Sequence, residues 1–168
     1  MITSLRVCAG VGVAYVAVVG LFERLAPRRW VRAYQRAVNP MVRRWAGRAA
    51  GWAVVETTGR RTGRPRQTPV GGRLVGGRAY WLVAGDGRHS DYVKNIAADP
   101  RVRVRVHGRW RRGVAAILDD DHARRRLLKL NPLNGAFVAI AAKDPLTIRI
   151  DLDPGPEPSA EPGRSVAP

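Results

Sequence analysis

Between Thr57 and Pro69 the chain reads TTGRRTGRPRQTP, which is the densest concentration of chemically useful groups in the sequence. Arg60, Arg61, Arg64 and Arg66 alternate there with the hydroxyls of Thr57, Thr58, Thr62 and Thr68 and with Gly59 and Gly63. A guanidinium group meets a phosphate or carboxylate with two parallel N–H donors. Glycines in a tight turn leave backbone N–H groups open to the same anion. The residue types therefore describe either an anion clamp or an exposed, charged hairpin loop, and the local pattern fits both.

Other chemistry is thinly represented. His89, His107 and His122 lack the spacing of a metal site, and no serine lies in a GxSxG elbow. Cys8 sits in an apolar run, which is the wrong setting for a nucleophile, and a single cysteine builds no disulfide framework. Asp119, Asp120 and Asp121 read as the start of a helix, so no metal is expected. No catalytic acid, base or nucleophile can be named. A chain of this kind is an enzyme only if a cofactor carries the reaction.

The elements that position the loop follow from pattern and charge. The formal net charge is +17, and residues 1–70 contain thirteen arginines against Glu23 and Glu56. Such a bias follows from arginine-rich codon usage or from an anionic partner. Val7 to Phe22 is an uncharged apolar run, slightly short of the roughly 20 residues that span a bilayer. It is read as an uncleaved anchor, or a helix lying on the membrane, with the main domain on the cytoplasmic face, or else as a helix packed on the core of a cytoplasmic protein. Trp30–Arg48 places Trp30, Val31, Tyr34, Val38, Met41, Val42 and Trp45 near one helical stripe with arginines between them, and Pro40 is expected to kink or split that helix. A basic amphipathic helix suits an anionic membrane surface.

From Gly51 the period shortens. WAVVETT, RQTPVGGRLV and RAYWLVA read as strands, the last two separated by a Gly76–Gly77 hairpin turn. SDYVKNIAAD is a helix with Ser90 at its N-cap. RVRVRVH alternates strictly, RWRRGVAAIL follows Gly108, and DDDHARRRLLKL and LNGAFVAIAAK read as helices before a last strand, LTIRIDL. Short, mostly antiparallel strands joined by hairpins predict an α+β chain built on a β-barrel. The expected organisation is an anchor over 1–25, a basic helix over 26–50, the barrel over 51–153 and a Pro-, Ser- and Glu-rich disordered tail over 154–168.

VVETTGRRTGRPRQTPV, GGRAYWLVAGDG and DYVKNIAADPRVRVRV, in that order, resemble the deazaflavin (F420)-dependent nitroreductase family, the F420-dependent oxidoreductases of split β-barrel (FMN-binding-like) fold. The resemblance runs from about Gly51 to Val106 and continues more weakly to LTIRIDL. It implies that reduced coenzyme F420 binds with its phosphate and γ-glutamyl tail on Arg60, Arg61, Thr62 and Arg66, and that Thr68 and Pro69 run toward the ring. The strand end Val83, Ala84, Gly85, Asp86 and Gly87 would offer backbone groups to the deazaflavin, with Tyr92 and Asn95 on the following helix. The implied reaction is hydride transfer to a quinone, nitroaromatic or similar electron-poor small molecule. Two features depart from some members: Asp86 stands where they carry a lysine, and NPLNGAFVAIAAK lacks the tyrosines that shape their acceptor pocket. Two other readings stand beside this one. One is a split-barrel protein holding FMN or haem. The other is a nucleic-acid binder, since TGRPR resembles an AT-hook core, although that loop lies between strands and no recognition helix accompanies it. The oligomeric state is not specified by the sequence.

Overall fold

The computed structural model describes residues 21–22, 24–130 and 141–154. The apolar run before Leu21, most of LNGAFVAIAAK and the tail beyond Pro154 lie outside the described residues. In chain order the elements are α1 (Arg28–Ala46), β1 (Trp52–Thr58), β2 (Pro65–Val75), β3 (Ala79–Ala84), a 3-10 turn (Gly87–His89), α2 (Asp91–Ala98), β4 (Arg101–Val106), β5 (Arg109–Leu118), α3 (Ala123–Leu130) and β6 (Leu146–Leu152). The six strands close a barrel in the order β1-β2-β3-β6-β5-β4, and each adjacent pair is antiparallel. The expected α+β barrel is the observed one.

Alternation decides which side chains fill it. Val102, Val104 and Val106 of β4 point inward, while Arg101 and Arg103 stay exposed. Ala53, Val55, Val70, Tyr80, Leu82, Ile148 and Ile150 join the same core. Val54 faces outward yet is fully buried, because α1 packs across β1 and β2 on that side. The β4–β5 hairpin closes on a two-residue turn, His107–Gly108, in which both residues have positive φ, and the β2–β3 hairpin closes on three residues, Gly76–Gly77–Arg78, of which both glycines have positive φ. That is the geometry whose twist matches paired strands.

Pro40 does not split α1, which runs unbroken over 19 residues. Pro40 and Arg36 both lie on the exposed side, so water can satisfy the Arg36 carbonyl that loses its helical partner. Ser90 occupies the N-cap of α2, but its hydroxyl makes no capping bond. Two of the three aspartates before α3 serve as latches. Asp119 binds Arg88 at 2.5 Å, and Asp121 takes a two-point bond from Arg126 at 2.6 and 2.7 Å. No group of metal-ligating side chains occurs among the described residues.

Candidate functional site

The loop between β1 and β2 is folded by its own backbone. Gly59 donates to the Arg64 carbonyl at 2.9 Å, and Thr62 and Gly63 donate to the Gly59 carbonyl at 3.0 and 2.7 Å. Gly63 takes the left-handed conformation that this tight return needs. The four arginines then divide into two sorts. Arg60 is tied to α2: its backbone N–H and one guanidinium nitrogen donate to Asn95 Oδ1 at 3.3 and 3.1 Å, and its other nitrogen meets Asp91 at 3.4 Å. Asn95, buried, donates in turn to Thr57 Oγ1 at 3.0 Å. The guanidinium groups of Arg61, Arg64 and Arg66 make no hydrogen bond or ion pair among the described residues, and all three side chains are exposed. Thr62 is exposed beside them and accepts from the Arg64 N–H at 3.4 Å. The loop thus presents three uncommitted cations on a frame fixed by Arg60, Asn95 and Thr57.

Next to this loop the barrel is incompletely zipped. The β2–β3 ladder pairs only Gly72–Val75 with Ala79–Leu82. Beyond it Pro65–Gly71 continue against β1, and Val83–Ala84 continue against β6. Two strand edges therefore part at this end of the barrel, each with backbone N–H and C=O groups that no neighbouring strand uses across the gap. Gly72 sits at the point of separation. A Cβ there would meet the Trp81 carbonyl oxygen and the Tyr80 ring, so the close approach of β2 to β3 needs glycine.

Each anticipated residue has a place in this arrangement. Thr68 and Pro69, both half-buried, lie on the β2 edge of the opening, but strand alternation sends their side chains to opposite faces: Thr68 shares the inner face with Val70, Pro69 the outer face. On the β3 edge, Val83 packs outward with Ala123 and Leu127 of α3, whereas Ala84 faces the core. That leaves the backbone of this strand end as the part able to meet a ligand. The Gly85 carbonyl accepts from Lys143 and Asp144 N–H at 3.0 and 3.1 Å. Asp86 is paired with Arg28 at 2.9 Å, and Gly87 is buried at the start of the 3-10 turn. Tyr92 packs against the core, and desolvation pushes its phenol well above the ordinary range, so it stays protonated at neutral pH. The structure brings Arg60 and Asn95 into contact. It sets Thr68 and Pro69 across the opening from Val83 to Gly87.

Sequence reasoning missed Arg28, Asp91, Lys143 and Asp144. Arg28 neutralises Asp86 from 58 residues away, and the Lys143 ammonium holds the Ala26 carbonyl at 2.6 Å. Both contacts join segments distant in sequence, so no spacing could have shown them.

Comparison with known proteins gives one assignment. The profile described as F420H(2)-dependent quinone reductase matches residues 26–153. Curated protein sequences give no match. Among solved structures, an F420-H2 dependent reductase (FDR-A) is 19% identical, covering 60% of this chain and 94% of its own, with a TM-score of 0.48. HutZ, a heme storage protein from Vibrio cholerae, is 13% identical, covering 69% and 90%, with a TM-score of 0.47.

Proposed function

The chain belongs to the F420-dependent quinone reductase family and is an oxidoreductase whose cofactor is coenzyme F420, and from that premise we propose that it reduces a quinone, nitroaromatic or similar electron-poor acceptor at the β2–β3 opening. The observation that carries the site is the pairing of three uncommitted arginines with a parted strand edge at one end of the barrel. When bound, the reduced deazaflavin supplies the hydride, and a proton from solvent or a hydroxyl completes the two-electron reduction.

The chain's own part is to bind, orient and shield. Arg61 and Arg66, with Thr62, suit a phosphate and the carboxylates of a glutamyl chain, while Arg60 and Asn95 hold the loop in shape. Backbone groups of Thr68–Pro69 and Val83–Gly87 suit the polar edges of a flat ring. Arg28 cancels the charge of Asp86, which would otherwise repel an anionic cofactor at the lip of the opening. The protonated Tyr92 can donate a hydrogen bond but offers no base at neutral pH.

A fluorescence titration with F420 tests this reading, repeated for Arg61→Ala with Arg66→Ala. Each removed charge-assisted contact is worth about 1.5–3 kcal/mol, so affinity should fall at least 100-fold. Equal affinity in the double variant would remove the loop from the site. Purified protein carrying bound FMN or haem absorbance would replace the cofactor assignment.

We also infer that the chain works at the cytoplasmic face of a membrane, with α1 on the lipid surface as a unit preceding the barrel. What supports this is exposure: Leu21, Phe22, Leu25, Trp30, Met41 and Trp45 are all exposed, and α1 contains no acidic residue. Among the described residues no helix is long and apolar enough to cross a membrane.

A further inference from the structure

On the outer face of the barrel, an open groove of about 470 Å³ runs between the C-terminal half of α1 and strands β2 and β4, lined by Pro40, Met41, Arg43, Arg44, Gln67 and Arg105. No acid lines it. The nearby Glu56 carboxylate is already taken by Gln67 at 2.7 Å and Arg103 at 2.9 Å. Arg105 is fixed in place: it donates to the Arg43 carbonyl at 2.7 Å, packs against Gly47 and stacks on the Trp110 ring at 5.5 Å. The guanidinium groups of Arg43 and Arg44 make no hydrogen bond or ion pair among the described residues. Three cations arranged this way repel one another, and a shared oxyanion relieves that repulsion.

What flanks the groove identifies the anion. Met41, which lines the groove, is 64% exposed, and Trp45, 44% exposed and packed edge-on against Trp52 at 5.2 Å, lies on the same half of the helix as Arg43 and Arg44. Exposed apolar and indole side chains beside guanidinium groups match the boundary between acyl chains and phosphates. We propose that the groove is a phosphate site for an acidic phospholipid headgroup, filled when α1 lies on an anionic bilayer. This inference rests on the membrane reading of α1 and adds to it a defined site. A free phosphate would meet the same arginines but would gain nothing from Met41 and Trp45.

The test is vesicle flotation of the full chain, using phosphatidylcholine alone and phosphatidylcholine mixed with phosphatidylglycerol. Wild type is compared with Arg43→Gln/Arg44→Gln and with Arg73→Gln/Arg109→Gln. The second pair removes the same charge from exposed residues outside the groove. The expected result is binding to the acidic vesicles alone, about 30-fold weaker in the groove pair at physiological salt and little changed in the control pair. Equal weakening by both pairs overturns the site and leaves only general attraction between charges. No vesicle binding by the wild type overturns the membrane reading and the groove together. Loss of F420 binding in the groove pair, or tight binding of inorganic phosphate without lipid, assigns the groove to a soluble anion and also overturns the proposal.

Discussion

Asn95 is the residue that ties the β1–β2 loop to α2. It is buried between two groups that have no other partner among the described residues: the Thr57 hydroxyl, to which it donates, and the Arg60 backbone N–H, from which it accepts. Asn95→Ala leaves both unmatched, which costs about 1–3 kcal/mol, and frees the Arg60 end of the loop. Urea unfolding should register that loss, and F420 affinity should fall with it. An unchanged unfolding midpoint would show that the bonds to Asn95 carry no stability. Asp121 offers a test by pH. The bond from Arg126, assisted by the Thr147 hydroxyl at 2.6 Å, holds its carboxyl down to about 2. Its folded value therefore lies below the unfolded value of about 3.9. The stability this latch contributes is complete above about pH 4 and is lost as pH falls toward 2. In a series of urea midpoints against pH, Asp121→Asn should be less stable at neutral pH and should show a shallower acid decline.

At the scale of elements, the opening between β2 and β3 exists because the two strands touch for four residue pairs and then follow different neighbours. Gly72 sets where contact ends. Adding one methyl group at this point forces β2 away from the Trp81 carbonyl and the Tyr80 ring, both of which lie in the packed barrel. Gly72→Ala should destabilise the protein by about 1–3 kcal/mol, the usual cost of overpacking a core, measured by thermal or urea unfolding. A neutral result would mean that the seam is loose along its whole length. The helix that crosses this face illustrates the limit of local rules. Pro40 predicts a kink or a split in α1, yet the helix is not split: its contacts with β1 and β2 hold it on the barrel, and the freed carbonyl lies on the wet side.

At the scale of the whole molecule, composition and periodicity determined a good deal. The strict alternation of RVRVRV places three valines in the core and arginines outside, because a strand has period two and an unpaired charge cannot be buried cheaply. The Gly76–Gly77 pair marks its hairpin because both residues need positive φ. The run TTGRRTGRPR marks a cation-dense turn by residue type alone, one that suits an anion clamp or an exposed charged hairpin. All six strands and the barrel class were legible for these local reasons. The tertiary structure decided the rest. Only the fold showed that Arg60 braces the loop while Arg61, Arg64 and Arg66 stay uncommitted, that Thr68 and Pro69 face opposite ways beside an unzipped seam, and that Arg28 neutralises Asp86. Those facts depend on which distant segments meet when the barrel closes. Closure is a cooperative property of all six strands, and no window of neighbouring residues contains it.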